Sequence, residues 1–265
     1  MDTHQEAEPL KVYWQPGCSS CLRTKEFLTK HGVPFVSVNV MADEQGFNEL
    51  AELGLRQIPI VRRGKDWANG QVIKDVARIA GINLGGQTML APGEIVQRLD
   101  TIMASAQGSL RQMPRPLLDT KLPNDRPQTH RELACHVFQI TEAFLNEVEH
   151  DRRLEFADYA GIIPPQITTR AELLEFGDAT RARLKAWWER EGRTTNFARP
   201  ANVYYGEQTL HEFLERTGWH SAQHARQLAM IIETAGMTPE RKLTPQDLAG
   251  LPVPEHIWDD KLVYA

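Results

Sequence analysis

Apolar and polar positions along this chain change their period near residue 90. Up to about residue 83, short β-branched runs alternate with amphipathic stretches. Lys11 to Trp14 reads as a strand that ends in the Pro16-Gly17 turn. Cys18 to His31 carries Leu22, Phe27 and Leu28 at helical spacing, with Gly32 as its cap. Phe35 to Val40 is β-branched and predicts a second strand. Gly46 to Leu55 predicts a short helix, Ile58 to Val61 a third strand with proline at its start, and Ile73 to Ile79 a last helix after the Asn69-Gly70 turn signal.

Beyond that point the period is helical throughout. Ile95, Val96, Leu99, Ile102, Met103 and Ala106 form one stripe between Pro92 and Arg111. Met113-Pro114-Arg115-Pro116 breaks it, and a proline-rich loop runs on through Pro127. Thr129 to Glu149, Arg170 to Glu191 and Gly206 to Gly236 are three further helical stretches, followed by a turn-rich tail with Pro239, Pro245, Pro252 and Pro254. The expected architecture is α/β followed by all-α: a domain over 10–83, a connector over 84–91, and a four-helix domain that takes in the tail over 92–265.

Composition narrows the function. Of 265 residues, 41% are hydrophobic and 25% charged, the balance of a water-soluble globular chain. The formal charge of −5 argues against nucleic acid as a partner. No run approaches the roughly 20 apolar residues of a membrane span, and the acidic start Met1-Asp2-Thr3-His4-Gln5-Glu6-Ala7-Glu8 does not read as a secretory signal. Cytoplasmic placement is the expectation. With three cysteines, no disulfide scaffold can be built, and Cys18-Ser19-Ser20-Cys21 reads as redox-active or metal-binding.

A cysteine in the first turn of a helix has its thiolate stabilised by unpaired backbone N–H groups. Cys18 is then the exposed nucleophile, and Cys21, one turn further, the thiol that resolves a mixed disulfide. A cis Ile58-Pro59 bond would turn the Ile58 backbone toward the sulfurs, making Ile58 and Pro59 candidates for contact with a small thiol or disulfide substrate. A zinc knuckle is the competing reading, but the chain holds no second cysteine pair to complete one. This ordered set, over about residues 10–83, resembles the glutaredoxin and thioredoxin-fold family. Glutaredoxins usually carry a lysine three residues before the first cysteine, where this chain has Gln15, and a Gly-Gly turn with an acidic pair. Here Asn69-Gly70 is followed by Gln71-Val72-Ile73-Lys74, with Asp75 arriving late, so the family's glutathione pose lacks two of its anchors.

His220 and His224 stand four apart on a stripe shared with Phe213, Thr217, Leu228 and Ile231, so both imidazoles point inward on one helix face. His136 shares a stripe with Ile140, Ala143 and Phe144 and is the best third ligand. His211 reads as a surface or supporting residue, His130 and His150 as helix-end or solvated residues, and Cys135 as a small buried hydrophobe. Trp187, Trp188 and Trp219 read as packing, and Gln223 and Arg226 as flanking groups able to orient a ligand. The segments from Arg131 to Ile140 and from Thr217 to Gln227 resemble the DinB superfamily of four-helix metalloproteins, related to the YfiT-like thiol-dependent transferases. The resemblance covers about residues 92–240 and implies the metal triad His136, His220 and His224.

Three imidazoles suit a divalent metal, zinc first, with nickel, iron or copper as alternatives. The combined expectation is a thiol-dependent metalloenzyme that transfers or cleaves a C–S bond, served by the dithiol domain and by a low-molecular-weight thiol. Two rivals stand beside it: a general thiol-disulfide oxidoreductase whose helical domain is not catalytic, and a redox or metal sensor. Oligomeric state is left open, a dimer among the options.

Overall fold

The computed structural model describes residues 8–86, 88–123, 128–159 and 162–259; the segment Met1 to Ala7, the end of the proline-rich loop and the last six residues lie outside them. The chain forms two compact units, Met1–Gln87 with Pro254–Ala265, and Thr88–Val253.

The first unit runs β1 (Lys11–Trp14), α1 (Ser19–Lys30), β2 (Val36–Asn39), α2 (Glu44–Glu52), β3 (Ile60–Arg63), β4 (Asp66–Asn69) and α3 (Ile73–Ala80). The sheet order is β2-β1-β3-β4. β1 pairs parallel with β2, Tyr13 facing Val38, and antiparallel with β3, Val12 facing Val61. The parallel pair requires a crossover, which α1 supplies.

Successive side chains of a strand point to opposite faces, and here both faces are covered. Val12, Val61 and Ala68 pack with Leu28 of α1 and Val76 and Ile79 of α3. Tyr13, Val38 and Ile60 pack with Leu50 of α2. Burying each such aliphatic side chain stabilises the fold by roughly 1.5–3 kcal/mol. This is an α/β thioredoxin-like sheet.

The second half of the sheet departs most from the sequence reading. β3 begins at Ile60, after the cis Ile58–Pro59 peptide, and β4 is a strand that the pattern alone did not predict. β4 lies at the sheet edge with Asp66 and Trp67 exposed, so its sequence shows no alternating apolar face. Pairing of Arg63 with Asp66 leaves Gly64-Lys65 as a two-residue turn, and Gly64 takes φ +61°, where a side chain would be strained.

In the second unit four long helices, α4 (Pro92–Gln112), α6 (His130–His150), α7 (Arg170–Arg190) and α8 (Leu210–Thr234), share one core. Short helices α5 (Arg115–Leu118) and α9 (Pro245–Leu248) stand in the proline-rich loop and in the tail. Thr129, Thr169 and Thr209 open α6, α7 and α8 with the same box: the threonine hydroxyl accepts the N–H three residues on, and the glutamate there, Glu132, Glu172 or Glu212, reaches back. At the centre Phe144 meets Trp187 and Phe213 edge to face, at 5.3 and 5.5 Å. Gly177 of α7 is a point of close approach, since a Cβ there would lie 2.8 Å from the Phe138 ring.

The tail does not stay with the helical unit as a whole. Its last described stretch, from Pro254 to Asp259, packs with the first unit, because polar groups on α1 hold it there. Among the described residues, no helix is long and apolar enough to cross a membrane.

Candidate redox and metal centres

Cys18 and Cys21 form a disulfide, with 5.1 Å between their Cα atoms. Gly17, at φ +76°, turns the chain so that Cys18 becomes the N-cap of α1, and its sulfur accepts the Cys21 N–H at 3.2 Å. Cys18 is half-buried and Cys21 fully buried, so a partner reaches the first sulfur before the second.

Pro59 is tied to α1 through Gly70. The Gly70 N–H donates to the Pro59 carbonyl at 2.8 Å, and the Thr24 hydroxyl lies 2.8 Å from the Gly70 carbonyl and 2.9 Å from that of Ser20. A Cβ at Gly70 would sit 2.7 Å from Pro59 Cγ, which accounts for the Asn69-Gly70 sequence. Asn69 itself accepts the Gln71 N–H at 3.0 Å.

In the second unit α8 presents His220 and His224 into the interior, both buried, and α6 presents the half-buried His136 to the same point. One nitrogen of each ring lies within 4.8 Å of the others, a group that can hold a metal ion. The His220 and His224 Nε2 atoms are 3.1 Å apart. Nitrogens sharing one zinc ion stand about 3.3 Å apart for bonds of ~2.0–2.1 Å, so this pair already has the required spacing.

Gln227, one turn after His224, places Oε1 2.7 Å from its Nδ1. An amide oxygen only accepts, so in this orientation the proton sits on Nδ1 and Nε2 keeps its lone pair. That lone pair accepts an N–H from His220, or points with its neighbour at a shared cation. An all-imidazole donor set suits zinc, nickel, copper or iron, so the residues present fit the expected group. The Ser221 hydroxyl donates to the Val137 carbonyl at 3.2 Å, pinning the two histidine-bearing helices together beside the rings.

Other candidates fall elsewhere. His211 meets the Leu90 carbonyl at 2.8 Å through Nε2. His130 is a helix-end residue, the first of α6, and it is buried: its Nδ1 is 2.7 Å from the Leu117 carbonyl, and burial pulls its pKa down. His150 is exposed. Cys135 is buried, and burial, then the Glu132 charge, pushes its thiol up to about 12. Gln223 accepts from Arg226 at 2.9 Å. Trp187 and Trp219 are core residues, the latter with its ring 5.3 Å from that of His220. Gln227 was missed by sequence reasoning, although its i, i+3 spacing from His224 was a usable signal.

Sheet order, the helix-capping cysteine and the C-x-x-C disulfide define the first unit as a thioredoxin-like redox domain. Residues 10–67 match the glutaredoxin family, and this part of the chain is a glutaredoxin domain. Over 54 residues the chain is 35% identical to the "Gene 56 protein" of Mycobacterium phage L5, a stretch that makes up 20% of this chain and 52% of that protein. The chain thus spans about half the length of the curated relative it matches.

Proposed function

We propose that this protein is a thiol-dependent metalloenzyme of DinB and YfiT-like type, fused to a glutaredoxin domain that handles its thiol. The observation that carries this reading is the convergence of His136, His220 and His224, from two helices, within 4.8 Å. These three side chains would hold a divalent metal, zinc first. When bound, it would supply Lewis acidity that lowers the pKa of a coordinated thiol or water. Gln227 fixes the tautomer of His224, and Trp219 packs on His220, so these two rings are held before any ion arrives.

At the dithiol, reduced Cys18 would attack one sulfur of a small disulfide, forming a mixed disulfide and releasing the first thiolate. Cys21 would then attack the Cys18 sulfur and release the second thiolate, leaving the intramolecular disulfide of this structure. Two electrons pass to the substrate, and an external thiol must return them. Ile58 and Pro59 would border the substrate.

Elemental analysis tests the reading: wild type should carry stoichiometric metal, and His136→Ala and His224→Ala should both lose it. Metal retained in either variant removes that residue from the triad. Cys18→Ser should slow multiple turnovers and spare a single one. A second reading, a general disulfide reductase with a non-catalytic helical half, is favoured by the glutaredoxin match over residues 10–67. It expects His220→Ala to leave full turnover of a small disulfide, with no thiol-transfer activity in wild type.

A further inference from the structure

After leaving the helical unit the chain returns to α1. Glu26 accepts the N–H groups of Glu255 and His256 at 2.7 and 2.9 Å and pairs with His256 Nδ1 at 2.8 Å. This anchor delivers Asp259, 5% exposed, to the base of the dithiol loop. Its Oδ1 accepts the N–H of Gly17, 242 positions earlier, at 3.1 Å. Its Oδ2 lies 3.6 Å from Lys25 Nζ, and both side chains are almost wholly enclosed. The Lys25 ammonium also sits 3.3 Å from the centre of the Trp14 ring.

Gly17 immediately precedes Cys18, and Lys25 lies one helical turn beyond Cys21. One carboxylate from the far end of the chain therefore touches both flanks of the C-x-x-C. We infer that Asp259 is a positioning residue of the dithiol: it holds the turn in front of Cys18 and, through its charge, makes the Cys18 thiolate harder to form and the pair more reducing.

The electrostatics run one way. In the disulfide both sulfurs are neutral, and Asp259 is balanced by Lys25 and the Gly17 N–H. Reduction places a thiolate at Cys18, which draws on the same N–H groups at the start of α1 and on the same ammonium. Among the described residues, the other charged groups of this anchor are Glu26 on α1, which pairs with the His256 ring and accepts the backbone N–H of Glu255, and the Glu255 carboxylate itself. If the Asp259 charge is removed and Lys25 keeps its proton, the repulsion between carboxylate and thiolate is gone while the attraction of the ammonium remains, which stabilises the thiolate.

This inference rests on the dithiol being the working redox pair of the proposed function. The test is Asp259→Asn in the full chain, which keeps both the size and an oxygen for the Gly17 N–H. In a glutathione redox buffer the variant should be about tenfold easier to reduce, a rise of ~30 mV, and ultraviolet thiolate absorbance should show Cys18 more acidic by about one pH unit. A purely structural tail would move neither reading, and wild-type values for both overturn the inference. Should the variant not fold, amide exchange on wild type decides. Linkage is reciprocal, so reduction should speed exchange at Gly17 and over 254–259; equal rates in the two redox states overturn it. A wild type that shows no two-electron potential at all would instead overturn the proposed function.

Discussion

Individual side chains set the chemistry of both centres through their nearest partners. Gln227 touches one ring nitrogen, yet it decides which nitrogen of His224 keeps a lone pair. Replacing a group that orients a metal-binding histidine typically weakens the metal 10–100-fold. Gln227→Leu should lie in that range in a zinc competition titration, with the fold retained. Tyr13 is a second case. Burial, then its 2.5 Å hydrogen bond to Glu49, pushes the phenol up to about 12 from 10.0. The folded chain thus keeps a proton that the unfolded chain loses first. The contribution of Tyr13 to stability is full below pH 10, and is lost as pH rises toward 12. In urea titrations the stability difference between wild type and Tyr13→Phe should be constant below pH 10 and shift in favour of the variant above it.

Among the elements, the helix starts show how local chemistry sets boundaries. The three Thr-x-x-Glu boxes satisfy N–H groups that a helix leaves unpaired at its first turn. Glu172 is held down to about 2 by the N–H groups and hydroxyls of Thr168 and Thr169. Thr209→Ala should cost about 1 kcal/mol, read as a fall in the urea midpoint of the helical unit, because α8 packs against both α4 and α6. The boxes stand in the sequence as Thr129…Glu132, Thr169…Glu172 and Thr209…Glu212, a signal that the periodicity reading did not use, and they place the helix starts more sharply than periodicity did. β4 was not legible: an edge strand with Asp66 and Trp67 exposed needs its partner β3 before it has a pattern at all.

For the whole molecule, two compact units carry the dithiol and the three-histidine cluster in one chain. Metal that binds only the folded state stabilises it, by ~2.7 kcal/mol at a free concentration of 100 Kd. Zinc should therefore raise one calorimetric transition, that of the helical unit, and leave the other in place. His136→Ala should abolish that response. The sequence by itself determined the alternation that makes the thioredoxin-like sheet, the long helices, the C-x-x-C at a helix start and the inward stripes of His136, His220 and His224, because each is a matter of local spacing and helical or strand period. Only the tertiary structure decided that the three rings meet, that Gln227 turns His224, and that Asp259 comes back to Gly17 and Lys25. Those contacts join residues 84, 88 and 242 positions apart, or depend on a rotamer, and no local period encodes either.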